Sequence, residues 1–211
     1  LTGGLGFFLS VIPDNSPPVI NDGNLTLSLT ANEDNATSFN LAVLSATDQD
    51  TNATRLAWEL MEAATNGNAT VSGSGSSPQT LSYLSDGNFT GNDSFVVRVY
   101  DVDDSNASDD IIVNVTVAPQ DDPPVFTSSP PAFGLKNTLY TYSVEVSDPD
   151  GSSDLNITSP KSEWLTLTDY GEGNAILTGT PADDDVGEAT ITLLATDPSN
   201  LTAVQTFTIT V

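Results

Sequence analysis

The sequence contains no cysteine and no histidine, and its only basic residues are Arg55, Arg98, Lys136 and Lys161. Each absence removes a class of chemistry. Without Cys there is no disulfide framework and no thiol nucleophile; without His there is no Ser-His-Asp triad, and without either there is no zinc centre of the usual kind. The scarcity of cations, set against 29 acidic residues and a net charge of −25, excludes a nucleic-acid binder, because nothing in the chain could neutralise phosphates. A long apolar run is missing too: the most apolar stretch, residues 1–12, is too short to cross a bilayer and has no basic flank, so no membrane span is expected. What remains is chemistry done by oxygen ligands, or none.

What is present is a repeat. VIPDNSPPVI at 11–20 matches VAPQDDPPVF at 117–126, ATDQD ending at Asp50 matches VSDPD ending at Asp150, and VVRVYD ending at Asp101 matches TLLATD ending at Asp197. A period near 100 residues is that of tandem domains, whereas solenoid repeats run about 20 to 50 residues. Within each unit apolar residues alternate, as in Ile111, Val113, Val115 and Val117 or Tyr140, Tyr142, Val144 and Val146, the signature of half-buried strands. Asn, Asp, Gly, Ser and Pro fill the gaps with turn chemistry. No sustained 3.6-residue stripe exists; ELMEAA at 59–64 offers one helical turn at most. The expected fold is all-β: two tandem antiparallel β-sandwiches, 13–119 and 120–211, preceded by an extended N-terminal strand at 1–12.

YSVEVSDPDG, WLTL, LTGTP, DVG and ATD, in that order, make the second unit resemble the dystroglycan-type cadherin-like domains and related Ig-type repeats of surface proteins. The first unit, with NED, ATDQD, YLSDGNFTGNDSF and VYDVD, resembles the cadherin-like repeats of long adhesins. The resemblance implies an extracellular, non-enzymatic module and a Ca²⁺ site at the domain junction. Its ligands would be Glu33 and Asp93 from the first unit, Asp121 and Asp122 from the linker, and Asp148, Asp150 and Asp197 from the second. Calcium takes six to eight hard oxygens, and such loops can supply them. Asp14, Asn15, Asp48, Asp50 and Asp101 are the counterparts in the first unit. Without metal, the same Asp residues would cap turns and keep the surface soluble.

The sequon N-x-[ST] occurs at Asn24, Asn35, Asn52, Asn68, Asn88, Asn92, Asn106, Asn114, Asn156 and Asn200, where about four would arise by chance. The excess reads either as a coat of covalent N-glycans on a secreted glycoprotein or as a by-product of Asn- and Thr-rich strands.

The leader is written like a last strand: FFLSVIPDNSPP stands where VNVTVAPQDDPP stands one unit later. Leu5, Phe7, Phe8, Leu9, Val11 and Ile12 would bury their side chains if the strand were donated to a neighbouring subunit, building a head-to-tail homo-polymer. Two alternatives stand beside donation: the leader packs on its own sandwich, or the chain is a fragment of a longer array. The functional expectation is a structural protomer of an extracellular filament or surface appendage. The alternative is a calcium-binding spacer, or a carbohydrate-binding module, of a large adhesin or polysaccharide-degrading protein.

Overall fold

The computed structural model describes residues 15–159 and 164–211. Those residues contain strands, turns and a few 3₁₀ turns, and no α-helix among them. The assembly-strand residues of the leader, Leu5 to Ile12, and Asp14 lie outside them. The chain divides into two compact units, with Gln120 the last residue of unit 1 and Asp121 the first of unit 2.

Unit 1 runs β1 (Val19–Ile20), β2 (Thr26–Asn32), β3 (Thr37–Ser38), β4 (Ala46–Thr47), β5 (Leu56–Glu62), β6 (Gly67–Ser74), β7 (Thr80–Ser85), β8 (Gly91–Asp101) and β9 (Asp104–Ala118). Seven of these form one sheet in the order β2-β9-β8-β5-β6-β7-β3, and β1 pairs separately with β4. All the pairings are antiparallel except β2 with β9, which are parallel. Period-two patterning decides which side faces in: Phe95, Val97 and Val99 of β8 and Ile111, Val113, Val115 and Val117 of β9 are buried, while the residues between them face out. Trp58 on β5 is 3% exposed and donates its indole N–H to the Gly75 carbonyl at 2.9 Å, so the one polar atom of a core ring is satisfied. The ELMEAA stretch forms no helical turn. Its first residues extend β5 through Glu62, because Trp58 and Leu60 continue a strand alternation against β8.

Unit 2 runs β10 (Val125–Phe126), β11 (Tyr140–Ser147), β12 (Asn156–Thr158), β13 (Leu165–Gly171), β14 (Asn174–Gly179), β15 (Glu188–Thr196) and β16 (Thr202–Thr210). Its two sheets, β10-β11-β14-β13 and β12-β15-β16, enclose Tyr142, Val144, Ile157, Leu177, Leu193 and Ile209. Four strands facing three is the arrangement of a constant-type Ig sandwich. Glu172 and Gly173 both take positive φ, 53° and 75°, in the two-residue turn joining β13 to β14. That is the handedness a tight hairpin demands, and a Cβ on Gly173 would meet the Val146 carbonyl oxygen at 2.1 Å. The last-strand position is filled by β16, which pairs with β15 over nine residues.

Candidate functional site: the carboxylate loops

In each unit a Pro-Pro segment enters the first strand beside the DxD loop, and the same two hydrogen bonds set both loops. In unit 1 the Asp50 N–H donates to Asp48 Oδ1 at 2.9 Å and the Ser16 N–H to Asp50 Oδ2 at 3.0 Å. In unit 2 the Asp150 N–H donates to Asp148 Oδ1 at 2.9 Å and the Asp122 N–H to Asp150 Oδ2 at 2.7 Å. The short Asp side chain accepts from an N–H two residues on, which is why DxD recurs at this bend.

The loops then diverge at two positions. Asp101 at the end of β8 is 2% exposed and is surrounded by donors: Asn15 Nδ2 at 3.2 Å, the Thr51 hydroxyl, and the Asp103 N–H at 2.8 Å. The Thr51 hydroxyl first, then the Asp103 N–H, hold its carboxyl below the usual range. The Ser16 N–H does the same for Asp50. In unit 2, Asp121 stands where unit 1 has Asn15, and Gly151, at φ 79°, stands where it has Thr51. Both side-chain donors are therefore missing. Asp197 takes the Leu201 N–H at 2.8 Å, and Asp121 accepts from the Ser199 hydroxyl at 2.7 Å. Asp121, Asp148, Asp150 and Asp197 line a cavity of about 180 Å³ with Ser152 and Ser199. The donor set is all hard oxygen, which suits a cation such as calcium. Among the described residues no three acidic side chains close to metal-holding geometry.

Of the other ligands that the resemblance implies, Asp122 belongs to unit 2, where its N–H donates to Asp150, and Glu33 and Asp93 belong to unit 1. Glu33 is 1% exposed, and its Oε1 accepts the Gln120 N–H at the end of that unit. Asp93, 8% exposed, is occupied by four donors of its own unit: the N–H groups of Thr65, Asn66 and Ser94 and the Tyr83 hydroxyl at 2.8 Å. Burial alone would raise its pKa, but the Asn66 and Thr65 N–H groups and the Tyr83 hydroxyl outweigh it and the net shift is downward. Tyr83 shifts upward, by burial first and by Asp93 second. These contacts make Asp93 the anchor of the β5–β6 turn. One acidic oxygen of unit 1, Asp48 Oδ2, is buried with no hydrogen-bond partner. Thr51 and Gly151, which decide how open each loop is, were missed in the sequence; aligning TDQDT with SDPDG would have found them.

All ten sequon asparagines are exposed. Asn68, Asn92, Asn106, Asn114 and Asn156 lie in strands and the other five in turns or beside 3₁₀ turns.

Residues 15–116 match the family described as "Bacterial Ig domain" and residues 123–211 the family described as "Putative Ig domain". The chain is thus a tandem of Ig-type, cadherin-like β-sandwich domains. Among solved structures, the protocadherin gamma B4 extracellular domain aligns at TM-score 0.52 and 18% identity over 96% of this chain and 33% of its own. Protocadherin gamma B2 extracellular cadherin domains 3–6 align at TM-score 0.51 and 16% identity over 92% of this chain and 46% of that one. An endo-fucoidan hydrolase of glycoside hydrolase family 107 aligns at TM-score 0.41 and 20% identity over 100% of this chain and 30% of its own, a likeness too low to inform on fold or function. The chain therefore spans a third to a half of the length of these structures. No curated protein matches it.

Proposed function

We propose that this chain is a structural segment of an extracellular surface protein, non-catalytic and N-glycosylated, whose second unit is held at its amino-terminal end by calcium. The observation that carries the reading is the pair of matched loops. Unit 1 closes its loop with Asn15 and Thr51, whereas unit 2 replaces both and is left with four carboxylates around one cavity. Asp121, Asp148, Asp150 and Asp197, which line the cavity without standing in metal-holding geometry, would draw in around the ion, with water completing the shell. Calcium would offset the mutual repulsion of these carboxylates and fix the DxD loop against the entering Pro-Pro segment. Neither Asp93 nor Asp122 is needed. The test is limited proteolysis of the full chain in chelator and in millimolar calcium, scored by cleavage in unit 2. Protection at Asp121 to Ser152 that is lost in Asp150→Ala supports the reading; equal cleavage in both conditions contradicts it.

A second reading, polymerisation through the leader, is favoured by the register of FFLSVIPDNSPP on the last strand of unit 1. Because β16 already occupies the last-strand position of unit 2, a donated leader would add to a sheet edge, gaining main-chain hydrogen bonds there. Deleting residues 1–12 would abolish polymers seen by electron microscopy under this reading. Polymers that survive the deletion would remove it.

A further inference from the structure

The antiparallel register of β8 and β9 sets two sequons face to face. Asn92 pairs with Thr116, and Ser94 with Asn114, so each asparagine lies opposite the hydroxyl residue of the other's tripeptide. The Thr116 hydroxyl donates to Asn92 Oδ1 at 3.1 Å. The central residues of both sequons, Asp93 and Val115, point inward at 8% and 1% exposure, which turns both asparagines to solvent on the same face. On the far side of β9, Ser28 and Thr30 of β2 stand level with Asn114 and Thr116. The result is two rows of three uncharged polar residues, Ser28, Asn114 and Ser94, then Thr30, Thr116 and Asn92, on a chain whose net charge is −25.

We infer that this uncharged patch of unit 1 is a glycan-bearing surface on which one asparagine-linked oligosaccharide sits at Asn114, excluding a second at Asn92. The inference rests on the glycoprotein reading above and names the site within it. Diagonal neighbours across an antiparallel pair are about 7–8 Å apart, too close for two branched oligosaccharides to leave the sheet side by side. Charge chooses between them. The donor in such a transfer is a lipid-diphosphate oligosaccharide: the Asn Nδ2–C1 bond forms as the C1–O bond to the diphosphate breaks, the amide loses a proton to a base, and no electrons are exchanged. Asn92 is followed by Asp93, whose carboxylate repels that anionic donor before the chain folds, while Asn114 is followed by Val115 and is filled first; once the sheet closes, the oligosaccharide at Asn114 lies across Asn92 and blocks later transfer there. Asn92 is the one sequon asparagine followed by an acid.

The test is site mapping of the full chain secreted from a glycosylating eukaryotic host. Glycans are released by an amidase in heavy-oxygen water, which converts each occupied Asn to labelled Asp, and the peptides are read by mass spectrometry. Asn114 is expected at more than about tenfold the occupancy of Asn92, with no molecule carrying both. The Asn114→Gln variant is expected to raise Asn92 occupancy, and Asp93→Asn to raise it further if the variant is secreted. Label at other sequons with none at Asn114, or double occupancy, overturns the inference while leaving the glycoprotein reading intact. Label nowhere overturns both.

Discussion

The amino-terminal ends of the two units are the same loop built twice, with opposite electrostatic outcomes. Both use a DxD bend that accepts its own N–H and one from the entering segment. In unit 1, Asn15 and Thr51 bring an amide and a hydroxyl to the buried Asp101. In unit 2 an acid and a glycine stand in their places, and Asp197 faces a cavity it shares with three other carboxylates. Two side chains thus separate a loop whose buried carboxylate is supplied with side-chain donors from one whose four carboxylates line a cavity. Among the described residues of the unit 1 loop, one acidic oxygen, Asp48 Oδ2, is buried without a hydrogen-bond partner.

Breaking the anchor that only unit 1 possesses should give the largest effect. Asp93→Ala leaves the N–H groups of Thr65 and Asn66 without their acceptor and the Tyr83 hydroxyl with only the Asn66 carbonyl, and is expected to destabilise unit 1 by about 2–4 kcal/mol, leaving unit 2 unchanged. Urea unfolding read separately for each unit checks this. Trp58 and Trp164, one in each unit, make that separation possible once the other is replaced by Phe.

Acid should distinguish the units next. Asp93 is depressed in the folded state, so its contribution is fully present above the unfolded value of about 3.9 and is lost as pH falls through the lower folded value. Unit 1 is expected to lose stability more steeply than unit 2 below about pH 4, and Asp93→Asn to reduce that excess without abolishing it, because Asp101 and Asp50 are lowered as well. At the alkaline limit Tyr83 works the other way. Its pKa is raised on folding, so its contribution holds below about pH 10 and fades above. Tyr140 of unit 2, pushed up to about 12 by burial and then by Tyr142, shows the same sign. Absorbance titration of phenolate should find both rings ionising late.

Converting one loop into the other gives a smaller effect and sharpens the comparison. Asp121→Asn restores to unit 2 the amide that Asn15 supplies in unit 1, and is expected to raise its calcium-free stability by about 1 kcal/mol while reducing its response to the ion. Asn15→Asp should do the reverse in unit 1, as read by the midpoint of its urea transition.

The strands were legible because alternation is a local property: the inward residues of β8, β9 and β11 follow from period two alone. So was the twofold repeat, since its Pro-Pro and DxD landmarks are turn chemistry. The sheet order was not legible, nor the parallel pairing of β2 with β9, because register between distant strands depends on the packed core. Asp93 illustrates the limit for the site. Its position matched a ligand pattern, but only the fold reveals that a turn from β5 to β6 supplies it with backbone donors. Alternation does not fix a strand's first residue: Leu25 shares the spacing of Leu27 and Leu29 in sequence but precedes β2 and is 76% exposed.

The most direct measurement is the thermal transition of each unit, followed through its own tryptophan, in metal-free protein and in calcium. At about ten times a dissociation constant in the 10⁻⁴ to 10⁻³ M range, the ion would add about 1.4 kcal/mol. For a domain of this size that is a rise of about 6–11 °C. That rise is expected in unit 2, with a smaller one in unit 1, and it is expected to disappear from unit 2 in Asp121→Asn with Asp150→Ala. No shift in unit 2, or an equal shift in unit 1, would contradict it.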